Sequence, residues 1–378
     1  MKVSIIKQDN YDYTEIKEKL LQSLDNLGGV EKFIEEGDKI LLKPNLLMKK
    51  KPEEATTTHP TLIKALAEII FDHGGTVIIG DSPGGPFNNI MLTNIYKSTG
   101  MTEASSIKNT ELNTNFKSFT KDFKEGIILN NILLTDMIND VDKIINVSKL
   151  KTHGFAVFTG AVKNLFGLVP GTNKAEYHVK MPNINDFANS LIDICECTKP
   201  NLHIMDGIDA MEGAGPSGGN KRHLGLILAS ENPHHVDLCA SKIIGLEVED
   251  VPTLRKAKER GLVGDFDFTK DILGENIQGL IVSDFKKAPA NSGNLRNIPK
   301  PIINLLINQL KSKPVFHHDI CIGCGDCAAN CPPAAIEMIN RKPKVDYGKC
   351  ISCFCCQELC PVTAITIKKP FLAKLIFK

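Results

Sequence analysis

Eight of the twelve cysteines, all near the carboxyl end, constrain this chain more than any other feature. Cys321, Cys324, Cys327 and Cys331 recur as Cys350, Cys353, Cys356 and Cys360, and each set is spaced C-x2-C-x2-C-x3-C-P. Three sulfurs two residues apart wrap one face of an iron-sulfide cube, and the proline after the fourth stops the chain from continuing as helix. In this spacing the fourth cysteine of each run crosses to the cluster of the other run. The expected ligand sets are Cys321, Cys324, Cys327 and Cys360 for one [4Fe-4S] cluster, and Cys350, Cys353, Cys356 and Cys331 for a second. Zinc ribbons also use C-x2-C pairs, but a zinc site takes four ligands and has no use for a third cysteine at the same interval followed by C-x3-C-P.

The two halves match beyond their ligands, at Ile322 and Ile351, Pro332 and Pro361, Ala335 and Ala364, and Ile336 and Ile365. A duplicated, bacterial-type ferredoxin module of small α+β form is expected, carrying low-potential electrons. Cys355 fits no ligand position and reads as a packing residue. Cys195, Cys197 and Cys239 sit in apolar helical patterns and read as core thiols. So many free thiolates argue for a reducing compartment. The amino terminus has too short an apolar run for a signal peptide, and no stretch approaches the ~18 apolar residues of a spanning helix. The expected location is the cytoplasm. A formal net charge of +1 gives no field that would draw nucleic acid.

Upstream, the pattern is that of a layered α/β domain with a mostly parallel sheet. Val3 to Ile6 reads as a strand and Tyr13 to Leu27 as a helix. A buried strand, KILLKPNLL, runs into Pro44. The helix HPTLIKALAEIIFDHGG follows, with Pro60 in its first turn, and then the strand TVIIGDSPGG. Strand, helix and strand in this order make a right-handed crossover, whose ligands sit at the carboxyl ends of the strands, where KPN and GDSPGG lie. Residues 88–140 read as a polar helical excursion. Strands are expected at Val141 to Leu150, NLHIMDG, HLGLILAS and IQGLIVSDF, and helices at Ile184 to Cys197, Pro233 to Ile244 and Thr253 to Arg260. The expected division is an α/β domain over 1–285, a linker with a short helix over 286–315, the ferredoxin module over 316–368 and an apolar, basic tail over 369–378. That tail is expected to pack against the α/β domain or a second subunit rather than lie on an anionic membrane.

Three stretches of the α/β domain can carry chemistry. In GDSPGG, Gly80, Asp81, Gly84 and Gly85 let backbone N–H groups approach an anion, or simply make a tight turn; the motif is neither a P-loop nor a dinucleotide fingerprint. In MDGIDAMEGAGPSGG, Asp206, Glu212, Gly213 and Gly215 could hold a cofactor or cation, or be solvated loop groups. In KTHGFAVFTGAVKNLFGLVPG and just beyond it, His153, Lys163, Asn164 and His178 stand among aromatic and aliphatic residues. Burial would lower the Lys163 pKa and suit it to act as nucleophile or base, and the imidazoles to transfer protons or ligate metal. A snorkelling lysine and surface histidines fit the same pattern.

Taken together, KPNLL, GDSPGG, KTHGFAVFTGAVKNLFG, DGIDAMEGAGPSGG and the terminal cysteine runs resemble the DUF362 family of iron-sulfur proteins over nearly the whole chain. Within it, HGFAVFTGAVK is similar to the active-site segment of the nickel-pincer lactate racemase family. That resemblance implies cofactor attachment at Lys163, acid/base work at His153 and a nickel ligand at His178. Residues 164–168 separate Lys163 from the following Val-Pro-Gly, unlike the racemase pattern, and racemisation uses no external electrons. A shared fold and site location are therefore what the resemblance implies here. The function expected is an iron-sulfur oxidoreductase or reductive activating protein that passes electrons from two [4Fe-4S] clusters to a site in the α/β domain, with an additional metal or nucleotide-type cofactor near Lys163. The alternative is an electron-transfer subunit or a metal or cluster maturation factor whose α/β domain docks a partner. Expected partners are an electron donor or acceptor protein, a small-molecule substrate and a second copy of the chain.

Overall fold

A computed structural model describes residues 1–181, 183–288 and 312–368. The expected linker helix over 299–310 and the tail over 369–378 lie outside the described residues.

The α/β domain is built on a mostly parallel nine-stranded sheet. Its strands are β1 (Val3–Lys7), β2 (Lys39–Pro44), β3 (Thr76–Ile79), β4 (Thr110–Leu112), β7 (Lys143–His153), β8 (Val157–Thr159), β9 (Leu202–Glu212), β10 (Asn220–Ser230) and β11 (Ile272–Gly274). The order is β11-β1-β10-β9-β7-β2-β3-β4, with β8 folded back on β7. The run β9-β7-β2-β3-β4 is wholly parallel, and β10 is antiparallel to both of its neighbours.

Alternation along β2 and β3 divides the core. Ile40, Leu42, Val77 and Ile79 face a layer formed by α1 (Tyr13–Asn26), α2 (Pro60–Asp72) and α3 (Asn89–Ser98), while Leu41 and Ile78 face the opposite layer. Asp12 starts α1 by accepting from Thr14 N and Glu15 N, and Pro60 opens α2 where its missing N–H costs nothing. Full burial of Leu62, Ile63, Leu66, Ile69 and Ile70 stabilises α2 on the sheet, by about 1.5–3 kcal/mol per side chain. On the other face lie α5 (Ala161–Asn164), α7 (Ile184–Thr198), α8 (Pro233–Ile243) and α9 (Pro252–Glu259).

Two stretches differ from the sequence reading. Residues 88–140 hold not only helices but also β4 and a hairpin of β5 (Ser118–Asp122) and β6 (Asn131–Thr135). One strand of that hairpin is almost wholly exposed, so its polar sequence hid the strand. The strand expected at IQGLIVSDF is a 3-10 turn, Ile277–Leu280, and the sheet edge is instead β11, just before it.

In the cysteine module, β12 (Lys313–Phe316) pairs with β15 (Ile365–Lys368), and β13 (Ile336–Ile339) pairs with β14 (Lys342–Val345). The module thus begins at Lys313, inside the stretch expected as linker. Its two halves share backbone conformation as well as sequence. Left-handed residues occur at Gly323 and Ser352, Gly325 and Phe354, and Ala334 and Thr363, equivalent positions of the repeat.

Candidate functional site

The site begins at the carboxyl ends of β2 and β3. Lys43 and Asp81 are buried there and pair at 2.7 Å, and the second Asp81 oxygen accepts from Leu46 N at 2.9 Å. Onto this pair packs the 3-10 turn Leu165–Leu168. Only a glycine fits at position 167, because a Cβ there would stand 2.0 Å from the Asp81 carboxylate. Gly171 meets the glycine-rich loop just as closely, since its Cβ would lie 2.2 Å from Pro83 O and 2.3 Å from Gly85 O.

Lys163 is presented by the single-turn helix α5. That turn is fixed by buried Asp237 on α8, which accepts from Ala161 N at 2.5 Å and Val162 N at 3.2 Å. Burial raises the Asp237 pKa to about 7, against the lowering effect of those two donors. The Asn164 side chain is spent on structure: it donates to Asn146 Oδ1 at 2.7 Å and accepts from Asn45 Nδ2 at 3.0 Å. The other side of Asn45 accepts from buried Lys151 at 2.7 Å. Burial depresses the Lys163 pKa, with the Glu358 carboxylate opposing it.

The histidines are held differently. His153 Nδ1 accepts from Phe155 N at 3.0 Å and Ala156 N at 3.1 Å, so the proton of the neutral ring sits on Nε2. Nε2 faces Glu358 Oε2 at 3.5 Å. His178, on α6 (Lys174–Lys180), stacks on Phe187 at 4.6 Å and meets Phe155 edge-on at 5.5 Å. Burial lowers His153 to about 4 and His178 to about 3, so both rings are neutral near pH 7.

Glu358 belongs to the cysteine module, whose second half closes the site. Gln357 Nε2 donates to Ala214 O at 2.9 Å, Ser217 Oγ donates to Glu358 O at 2.6 Å, and Leu359 packs on Gly84. Between the two domains lies a recess open to solvent, with about 750 Å³ of empty space counting the solvent at its mouth. The α/β domain contributes Asp81, Ser82, Lys163, Phe166, Lys174 and His178 to its wall, and the module contributes Asn330, Cys355, Glu358 and Leu359.

Within the module, Cys321, Cys324, Cys327 and Cys360 line one pocket, and Cys331, Cys350, Cys353 and Cys356 line another. No histidine or carboxylate lines either, so the donor set is all thiol in an apolar setting, which fits an iron-sulfur cluster. Cys331 Sγ accepts from Ala335 N and Cys360 Sγ from Ala364 N, both at 3.2 Å, the kind of N–H to sulfur bond that tunes such centres. Cys324 is exposed, whereas Cys356 and Cys360 are buried.

Of the residues singled out in the sequence, Asp81, Gly84, Gly85, Lys163, Asn164 and His178 line the junction cavity, and His153 stands behind Glu358. Gly80 packs against Leu41, Asn113 and Met137 instead. Asp206 pairs with Lys149 at 2.8 Å and accepts from Tyr11 at 2.9 Å. Glu212 accepts from Lys286 N at 3.0 Å. Gly213 and Gly215 carry a loop that holds Thr152 and docks the module. Cys195 and Cys239 are buried core thiols, and Cys195 also lies with Glu196 and His234 in a group of donors within 4.8 Å of one another, where His234 Nε2 already bonds Glu196 at 3.2 Å. Cys355, read as packing, faces the junction cavity. Sequence reasoning missed Ser82, Phe166, Lys174, Glu358 and Leu359. Two of these had a signal, because Glu358 and Leu359 stand where the first half of the repeat has Ala329 and Asn330.

Among the described residues, no helix is long and apolar enough to cross a membrane. The family model described as a domain of unknown function, DUF362, matches residues 40–242, and a 4Fe-4S dicluster domain matches residues 313–361. The chain is 33% identical over 262 residues to the thylakoid-associated protein sll1697 of Synechocystis, covering 69% of this chain and 79% of that protein. It is similar in structure to the lactate racemase apoprotein of Thermoanaerobacterium thermosaccharolyticum, with a TM-score of 0.38 and 12% identity, over 61% of this chain and 55% of that one. The chain belongs to the DUF362 family and carries an iron-sulfur ferredoxin domain at its carboxyl end.

Proposed function

We propose that this DUF362 chain is an oxidoreductase that reduces a small molecule in the cavity between its two domains. The observation that carries the reading is that one wall of this cavity is Lys163 and His178, and the other is the helix Cys355–Glu358, which is part of the second cysteine run. Cys321, Cys324, Cys327 and Cys360 would hold one [4Fe-4S] cluster and Cys350, Cys353, Cys356 and Cys331 a second, which would supply low-potential electrons one at a time.

The chain's own residues do the rest. Exposed Ile320, Ile322 and Cys324 offer a face for a redox partner on the side of the first cysteine set, whereas the second run reaches the cavity through Cys355 and Glu358. Docking of the module buries the reacting space and limits water there, which strengthens every electrostatic contact inside it. Burial lowers the Lys163 pKa, and when protonated its Nζ can stabilise a developing negative charge and then neutralise it. His153, locked as the Nε2–H tautomer, orients Glu358 from behind. A carrier whose α/β domain only docked a partner would have no use for two lysines inside a recessed pocket.

Anaerobic reoxidation tests the reading. The chemically reduced protein is mixed with small α-keto acids and enoates, and bleaching recovery of the iron-sulfur absorbance is followed. An acceptor is expected that reoxidises the intact protein at least tenfold faster than Lys163→Ala or His178→Ala, with iron content equal in all three. Equal rates in the variants for every acceptor tried would place the acceptor site elsewhere.

A further inference from the structure

We infer that the junction cavity recognises its ligand through an oxyanion, a carboxylate or phosphate group, bound by Lys163 and Lys174. The inference rests on the functional reading only in taking this cavity as the reacting site.

The charges around the cavity do not balance. Its carboxylates are Asp81 and Glu358, and Asp81 is matched by Lys43 and by the Leu46 N–H. Glu358 lies against the neutral ring of His153. Three lysines, Lys163 and Lys174 on the wall and Lys43 behind Asp81, therefore face two side-chain carboxylates, one lysine in excess. Lys151 nearby, held only by the neutral oxygens of Asn45 and Thr56, adds to that excess whenever it is protonated.

Neither Lys163 nor Lys174 has an ion-pair partner among the described residues. Lys174 Nζ donates to the carbonyl of Ser82, and Lys163 has no hydrogen-bond acceptor there. Both Nζ atoms lie near one ring, at 5.9 Å and 5.7 Å from the centroid of Phe166. Two further polar atoms at the same wall, Ser82 Oγ and His178 Nδ1, are buried without a partner. Buried polar groups are rarely left this way, and a site built to bond a ligand group is one of the few places where they are. A flat or apolar ligand body fits against Phe166 and Leu359, which line the same cavity.

Calorimetric titration of the cluster-bearing, full-length protein under anaerobic conditions decides the matter, with benzoate, inorganic phosphate and neutral benzamide as probes. Saturable binding of benzoate or phosphate is expected, weakened at least tenfold in Lys163→Met and in Lys174→Met and unchanged in Lys180→Met, an exposed position on the same helix as Lys174. Preference for benzoate assigns an organic acid, and preference for phosphate a phosphate ester. Iron content and melting temperature show that each variant is folded; if Lys163→Met is not, Lys174→Gln carries the test. The inference is overturned if benzamide binds as well as benzoate, if neither anion saturates below tens of millimolar, or if the lysine variants bind like the intact protein. Anion binding without lysine-dependent reoxidation would sink the redox reading and leave this one standing.

Discussion

His153 Nε2 lies 3.5 Å from Glu358 Oε2, joining the end of β7 in the α/β domain to the helix that carries Cys356. The contact is long for a hydrogen bond, but its direction is fixed, because two backbone donors occupy the other ring nitrogen. It makes Glu358 both a wall of the cavity and a latch of the module.

Removing the latch tests that double role. Glu358→Ala takes away the carboxylate that His153 Nε2–H faces without a close hydrogen bond, at a cost of about 0.5–1.5 kcal/mol. Amide exchange over 213–219 and 354–359 is expected to quicken severalfold, since about 1.4 kcal/mol corresponds to a factor of ten. Reduction of the cavity ligand is expected to slow while iron content holds. Unchanged exchange would show that Gln357, Ser217 and Leu359 hold the module without it.

The sulfur assignment is tested by metal content. About eight irons and eight acid-labile sulfides per chain are expected. Cys331→Ala should remove the cluster of the second run although it sits in the first, and Cys360→Ala the converse. Cys355→Ser should leave both in place, because its side chain faces the junction cavity and neither cysteine-lined cavity. Zinc in place of iron, or loss of a cluster in Cys355→Ser, would show the ligand sets to be wrong.

Asp237 is a structural support with a pH signature. Asp237→Ala leaves the N–H groups of Ala161 and Val162 without acceptors beneath Lys163, and about 2–4 kcal/mol of destabilisation is expected. The carboxyl pKa is raised from 3.8 to about 7 in the fold. Between those values the folded chain keeps a proton that the unfolded chain has released, so this group's contribution falls as pH rises, by at most about 1.4 kcal/mol per pH unit. Asp237→Asn removes the dependence. Its melting temperature relative to the unaltered protein is expected to climb from pH 5.5 to pH 7.5; a constant difference would show that burial does not raise the pKa.

Much of this was legible in the cysteine ladder and in the β-α-β pattern, because local spacing dictates both. KPN and GDSPGG could be placed at strand ends, where Lys43 and Asp81 do meet. The antiparallel insertion of β10 between β1 and β9 joins residues more than two hundred positions apart, and no local period records it. The docking face was hidden in another way. Between the second and fourth cysteines of each run the repeat breaks at Phe354, Cys355, Gln357, Glu358 and Leu359, against Gly325, Asp326, Ala328, Ala329 and Asn330. A duplicated module needs the same residues twice for its clusters, so departures from the duplication mark surfaces that only one half presents. All five face the α/β domain or the shared cavity, Phe354 by packing at Gly154. Lys174 left no such mark, since a lysine in a short polar helix resembles any solvated one.

That lysine supplies the remaining prediction. Burial lowers the Lys174 pKa from 10.5 to about 8, with Lys43 and Lys163 acting in the same direction and Asp81 and Glu358 against it. Those four are the charged groups facing it from β2, the glycine-rich loop, α5 and the cysteine module. Below pH 8 the free protein holds the ammonium ready for an anion, and above it the proton must be taken up on binding. A bound anion favours the charged form, so in the complex the pKa rises and the loss of affinity starts in the free protein near pH 8, growing by up to tenfold per pH unit. Benzoate, whose own charge does not change across this range, is expected to weaken severalfold between pH 7 and pH 9 in calorimetric titrations, with a proton taken up at the higher pH. Lys174→Met should bind weakly at both values and lose the step near pH 8. An affinity that is flat across this range in the unaltered protein would mean that Lys174 keeps its proton well above pH 8, and that its burial is offset by the carboxylates of Asp81 and Glu358.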